Sequence, residues 1–335
     1  MKRRGYLIEE IAAIQNLELA YYKARLGKVA KDSVYTYGQH LQENLKILQS
    51  QILSGQVEVG GYRYFTIYDP KRRQICAAPF AQRVLHHALM NVCHPYFEKR
   101  QIADSYASRL GKGTYAALAK AKYFHRRYPW FLKLDVRKYF DSIHSGILRR
   151  QLCSMFKDGR LLGIFDAIID SYEVEKGRGL PIGNLTSQYF ANHYLSPADH
   201  FAKEKFDIPA YVRYMDDMVL WHDDKETLLK AGYVFKAFVE DDLKVELKPF
   251  CLNKREEGLP FLGYRLLPDE VRLAPRSKKR FKDKFELYAQ LLATGVWSQK
   301  EFQRHITPLG AFVEQADTWA FRNKLYEKYE LLWEV

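Results

Sequence analysis

The chain has 335 residues, 47% of them hydrophobic, which is enough to build a sizeable core and more than one usual domain. Its 53 Lys and Arg against 40 Asp and Glu leave a net charge of +13, which favours a polyanionic partner, and its 24 Tyr add stacking surface. No uncharged apolar run approaches the ~18 residues of a membrane span, and no apolar signal core follows the basic N-terminus, so neither membrane insertion nor secretion is expected. Cys76, Cys93, Cys153 and Cys251 lie far apart without zinc-finger spacing, as free thiols in a reducing compartment do.

Residues 1–60 read as helical. Residues 16–26 run to Gly27, a suitable C-terminal stop. Val34, Tyr37, Leu41, Leu45, Leu48 and Ile52 then recur at helical steps before Ser54-Gly55. After Gly60-Gly61 the period becomes two. Residues 62–68 and 71–77 are expected to form a basic hairpin around Asp69-Pro70, and Lys71, Arg72 and Arg73 need water or phosphate beside them. Pro79 opens a helix carrying Arg83, His86 and His87, with the histidines read as structural. The glycine-flanked loop 105–113 offers Arg109 and Lys112 as weak phosphate contacts.

Residues 130–135 form an apolar run ending in Asp135, which predicts a strand with an acid at the sheet rim. Residues 179–188 make a tight Gly-Pro-Gly loop, with Asn184 as N-cap of a helix over 185–195. Tyr211-Val212-Arg213-Tyr214 and Met218-Val219-Leu220-Trp221 flank a polar tip, which predicts a hairpin. Asp216 and Asp217 at that tip repel each other unless the turn is simply solvated or a divalent cation sits there. With Asp135 on a neighbouring strand, three acids could hold two Mg²⁺ about 3.5–4 Å apart, the arrangement for nucleotidyl transfer. Beyond the hairpin, a helix is expected over 226–239 and strands over 243–247 and 260–264. A basic run with Arg276, Lys278, Lys279, Arg280, Lys282 and Lys284 then opens a helical C-terminal region suited to clamping a nucleic-acid backbone.

These pieces, in this order, resemble a reverse transcriptase over roughly residues 60–265. Asp135 resembles the first catalytic block, the 179–188 loop the second, and Tyr214-Met215-Asp216-Asp217 the third. Phe261-Leu262-Gly263-Tyr264 resembles the primer-grip block. The resemblance implies an α+β right-hand polymerase: an N-terminal helical extension (1–60), fingers (61–134), a palm with some fingers segments interleaved (135–270) and a basic helical thumb (271–335). It implies that Asp135 and Asp216 bridge two Mg²⁺, with Asp217 and the Val136 carbonyl assisting. It implies a steric gate at Phe140 that selects dNTPs, and nucleotide contacts from Lys71, Arg73, Ile182, Gly183 and Gln188. Arg83, Arg109, Lys112, Tyr214, Gly263, Arg276, Lys279 and Arg280 are the corresponding candidates for template RNA and DNA primer. The family usually carries a Lys shortly after the 243–247 segment as a general acid; here Lys248 and Lys254 are the available residues.

Asn16-Leu17, the 62–77 hairpin, Arg83-Val84-Leu85-His86-His87-Ala88-Leu89, Ile182-Gly183-Asn184-Leu185-Thr186-Ser187-Gln188 and Gly310 with Ala316-Asp317-Thr318 further resemble the reverse transcriptases of diversity-generating retroelements. Most other reverse transcriptases have Gln where this chain has Ile182. That resemblance implies copying of a template-repeat RNA into cDNA with errors at adenines, beside a small accessory variability determinant protein. It also implies a prokaryotic or phage-encoded chain in the cytoplasm. The other readings are a different prokaryotic reverse transcriptase, of phage-defence or group II intron type, and a non-catalytic nucleic-acid scaffold.

Overall fold

The computed structural model describes residues 3–68, 72–206 and 208–329, so the 69–71 turn with Lys71 lies outside the described residues. Four helices come first: α1 (Ile8–Ala12), α2 (Ile14–Arg25), α3 (Asp32–Gln39) and α4 (Leu41–Ser54). Gly55 stops α4 at φ +74, and N–H groups beyond the helix bond back to the carbonyls of Ile52 and Gln51. The strands β1 (Arg63–Ile67) and β2 (Arg73–Ala77) pair antiparallel, and α5 (Phe80–Glu98) follows. Asn16 on α2 donates to the carbonyls of Ile11 and Ala88 and accepts from Asn91, which clips α2 onto α5.

Next come α6 (Thr114–Arg127), β3 (Trp130–Asp135), α7 (Tyr139–Ser142), α8 (Ser145–Met155), α9 (Gly159–Asp170), α10 (Leu185–Tyr194) and α11 (Ser196–Lys205). The hairpin β4 (Ala210–Tyr214) and β5 (Asp217–His222), then α12 (Lys225–Asp241) and β6 (Cys251–Lys254), complete a sheet of order β4-β5-β3-β6. A second small sheet, β7 (Leu259–Phe261), β8 (Tyr264–Leu266) and β9 (Val271–Leu273), leads into α13 (Pro275–Ala293), α14 (Gln299–Val313) and α15 (Trp319–Lys328).

Within the central sheet β3, β4 and β5 are buried on both faces, which is why they read as nearly unbroken apolar runs. Leu132, Leu134, Tyr211, Met218 and Leu220 enter one core with α1–α5 and α8–α12. Phe131, Val212, Val219 and Trp221 enter another with α6, the small sheet and α13–α15. The whole is α+β and agrees with a right-hand polymerase fold. Among the described residues no helix is long and apolar enough to cross a membrane.

Two expected strands differ. Residues 243–247 form no ladder beyond a single bridge from Leu247 to Val136. Leu243, Val245 and Leu247 are buried, so the alternation is real, but Lys244 at φ +54 breaks the extended path and Leu247 N–H goes to the Glu240 carboxylate. The strand role passes to β6. Residues 260–264 are the tip of a hairpin, because Leu262 (φ +49) and Gly263 (φ +89) turn the chain back on itself.

Candidate active site

β3 and β5 run antiparallel in a register that sets Asp135 directly opposite Asp217. Tyr214 pairs with Asp217 to close the β4–β5 hairpin, leaving Met215 and Asp216 as its two-residue tip, with Met215 at φ +54. Three carboxylates therefore meet at one edge of the sheet. Burial raises the Asp216 pKa, and the charge of Asp135 raises it further. Burial pushes Asp217 up to about 6; Lys133 opposes this, while Asp135 and Asp216 add to it.

Two lysines answer these charges. Lys133 Nζ lies 3.0 Å from both oxygens of Asp217, bonding to Oδ2, and also donates to the Pro260 carbonyl at 2.6 Å. Lys248 Nζ donates to Asp135 Oδ1 at 2.7 Å, and its backbone N–H donates to the Asp135 carbonyl. As they stand, no three His, Cys, Asp or Glu side chains among the described residues are gathered into a metal cage. Asp217 Oδ1 is buried and faces the Lys133 ammonium without an aligned hydrogen bond. Buried, mutually repelling acids with ammonium groups standing in as cations fit a divalent metal with hard oxygen ligands. Val136, beside Asp135, has its side chain in the core.

The hairpin is held from below. Arg213 on β4 is fully buried and binds the equally buried Asp199. Its remaining donors reach Asn192, Gln101 and the carbonyl of Met215 in the hairpin tip. The tip is thus fixed by a buried, fully engaged guanidinium.

On the side of the 63–77 hairpin, Arg73 on β2 is exposed and close enough for its charge to act on Asp216. The Cys76 N–H of β2 donates to the Ile182 carbonyl at 2.7 Å, joining the 63–77 hairpin to the 179–188 loop. Gly183, at φ +128, has no room for a side chain: a Cβ would lie 2.9 Å from the Cys76 carbonyl oxygen. Phe140 is half-buried, and its carbonyl accepts from Leu180 in the same loop. Gln188 is exposed, 3.4 Å from Ser108 Oγ. Asn184 does not cap α10 with its side chain, donating instead to the Tyr62 hydroxyl.

The remaining candidates scatter. Arg109 is turned inward, with its guanidinium spent on Glu98 and on the carbonyls of Ile102 and Ser105; it braces its own loop rather than facing a template. Arg83 is half-buried and donates to the Ala78 carbonyl. Lys112 donates to the Ala103 carbonyl above the Tyr106 ring. Tyr214 accepts from Thr114 Oγ1 at 3.1 Å. Gly263 packs where a Cβ would lie 2.9 Å from Ser277 Oγ on α13. On that helix Arg276 is exposed, Lys279 pairs with Asp283, and Arg280 lies over the Phe312 ring.

Lys133 and Arg213 escaped the sequence reading, and Lys248 was left open. The available signal was a lone cation inside each apolar strand.

Residues 68–266 match the family described as reverse transcriptase (RNA-dependent DNA polymerase). Protein YkfC of Escherichia coli K12 is 22% identical over 277 residues, covering 68% of this chain and 72% of that protein. The nuclear intron maturase 1, mitochondrial, of Arabidopsis thaliana is 27% identical over 88 residues, 26% of this chain and 12% of that protein. The putative COX1/OXI3 intron 2 protein of Saccharomyces cerevisiae is 22% identical over 290 residues, 67% of this chain and 32% of that protein. Among solved structures, apo telomerase from Candida tropicalis superimposes with a TM-score of 0.49 at 12% identity, over 64% of this chain and 55% of that one. Candida albicans telomerase with a telomeric RNA fragment gives 0.48 at 12% identity, over 80% and 55%. The chain thus spans most of one curated relative but a third or less of the two intron proteins.

Proposed function

The chain belongs to the reverse transcriptase (RNA-dependent DNA polymerase) family, and on that premise we propose that it extends a DNA primer along an RNA template at the Asp135–Asp216–Asp217 edge. The observation that carries this is the cross-strand pairing of Asp135 with Asp217 beside the Asp216 tip. In this reading Asp135 and Asp216 hold two Mg²⁺, with Asp217 and the Val136 carbonyl in support. Bound divalent cations supply acidification of the primer 3′-hydroxyl and neutralisation of the triphosphate. Arg73, with Lys71 two residues before it in sequence, covers the nucleotide phosphates; a guanidinium suits this because it can hold phosphate in a planar fork. Phe140 excludes a ribose 2′-hydroxyl, and a rise in rNTP use by Phe140→Ala tests that role. Residues 61–134 act as fingers, 135–270 as palm and 271–335 as thumb, with Arg276, Lys279 and Arg280 on the product strand.

The finer reading is the diversity-generating retroelement type, supported by the residue string from Ile182 to Gln188. Ile182 cannot donate a side-chain hydrogen bond near the nucleotide. Losing one such bond removes about 1 kcal/mol of discrimination, roughly fivefold. A template-repeat RNA and a small accessory protein are its partners. The group II intron type is the second reading, favoured by the intron-protein relatives. The experiment is sequencing of cDNA made on a defined RNA, with and without the co-expressed accessory protein. Errors concentrated at template adenines and reduced by Ile182→Gln support the first type; errors spread evenly over the bases sink it.

A further inference from the structure

Helix α6 carries surface that none of the roles above uses. Its inner residues Ala117, Leu118, Ala121 and Phe124 enter the core beside the sheet, and His125 is buried there. Its outer stripe is Tyr115, Ala119, Lys122, Tyr123, Arg126 and Arg127, spaced for one helical face. The helix has no acidic residue over its 14 positions. Tyr115 and Tyr123 are 44% and 53% exposed, so part of each ring is open to solvent.

The stripe is also placed. At the start of α6, Thr114 bonds to Tyr214, which closes the catalytic hairpin. A recess of about 590 Å³ opens there between Lys112, Gly113, Thr114, Tyr115, Leu262 and Phe312. At the other end, a recess of about 570 Å³ lies over small Ala119 between Lys122, Tyr123, Arg126 and Arg127. Beyond it, the Trp130 ring at the far end of β3 lies under both Lys225 and Lys254. Fourteen residues at ~1.5 Å each make a path of ~21 Å from the catalytic edge outward.

We propose that the outer stripe of α6 is a track for single-stranded nucleic acid leading to or from the active site, with Lys122, Arg126 and Arg127 on phosphates and Tyr115 and Tyr123 as stacking faces. Interleaved cations and exposed rings suit an unpaired strand, whose bases are free to stack; a duplex offers phosphates but hides its base faces. The strand is either the template RNA or the DNA made from it. The inference rests on the polymerase reading for its direction, but not for its existence.

The test is binding of a 30-nucleotide single strand, as RNA and as DNA of the same sequence, across a salt series. The Lys122→Gln/Arg126→Gln/Arg127→Gln variant is compared with wild type, and equal melting curves confirm that it folds. The track predicts at least a tenfold loss of affinity and a salt slope smaller by about 2, since three cations no longer release counterions. Tyr123→Ala should weaken binding without changing that slope. A larger loss with RNA assigns the track to template, and a larger loss with DNA to product. Affinity within twofold of wild type and an unchanged slope on both strands overturn the proposal, including the case in which a protein covers the stripe. Addition of one nucleotide to a primer–template with a one-nucleotide overhang, too short to reach the stripe, is run alongside. Its absence in wild type would reject the polymerase reading and leave the binding result to decide the track.

Discussion

Arg213 and Asp199 form an ion pair at 2.5 Å with neither side chain exposed, at the base of the β4–β5 hairpin. Tyr211 also donates to Asp199, and Arg213 donates onward to Met215. Removing one partner strands a buried charge, so Arg213→Met or Asp199→Leu alone should cost about 3–5 kcal/mol in urea unfolding. The double variant should recover part of that loss while primer extension stays impaired, because the hairpin tip has lost its anchor. Single variants within 1 kcal/mol of wild type would show that the pair does not hold the tip.

Gly183 lies at the close approach between two segments far apart in sequence. Gly183→Ala places a methyl group against the Cys76 carbonyl at a backbone conformation that L-residues avoid, which should cost about 1–3 kcal/mol. The displaced β2 should also expose Cys76, which is buried in the native chain, to thiol reagents. Gly159→Ala, with open space around it and helical backbone, is the matched control and should be neutral or slightly stabilising. Equal labelling rates in the two variants would refute the contact.

Three buried histidines set the acid limit. Burial pushes His86 and His193 down to about 3 and His125 to about 4. Their folded values lie below the unfolded value near 6.5, so the unfolded chain takes up protons first. Stability is therefore full above pH 6.5 and is lost as pH falls toward 4, by up to about 2 kcal/mol per ring at pH 5. His193 packs against Phe97, and His193→Phe should reduce the difference between urea unfolding at pH 7 and pH 5. An unchanged difference would mean that His193 is not held neutral.

If Asp217 takes a divalent cation, as proposed, the Lys133 ammonium occupies the place where that charge would act. Lys133→Met removes an ammonium group 3.0 Å from that carboxylate, and binding of Mn²⁺ followed by electron paramagnetic resonance should tighten by about tenfold. The same variant should be less stable without metal, since Asp217 is left buried and unanswered. Weaker Mn²⁺ binding would show instead that Lys133 holds Asp217 in its ligating position.

Much of this site was readable locally. Residues 130–135 alternate between two cores, so their apolar run marks β3 to its last residue, and the 211–221 pattern marks a hairpin because both its strands are buried alike. What stayed hidden was partnership. Arg109 in a glycine-flanked loop reads as a phosphate contact, yet Glu98 on α5 claims it. Arg213 reads as strand filler, yet its partner Asp199 comes from α11. Leu243, Val245 and Leu247 alternate because they are buried, and burial alone does not make a ladder. Periodicity reports which side of an element is dry; which charge meets which is settled only when distant segments pack.

The most direct measurement is primer extension on an RNA template with Mg²⁺ by wild type and Asp216→Asn, each checked for the same melting curve without metal. Asp216 sits at the unpaired hairpin tip, beside the Asp135–Asp217 pair, and is only half-buried, so the variant should fold as wild type. Extension by wild type and its loss by at least a hundredfold, or ~2.7 kcal/mol in barrier, in the variant is the predicted result. Extension by Asp216→Asn at the wild-type rate would contradict the assignment of the Asp135–Asp216–Asp217 edge as the site of polymerisation.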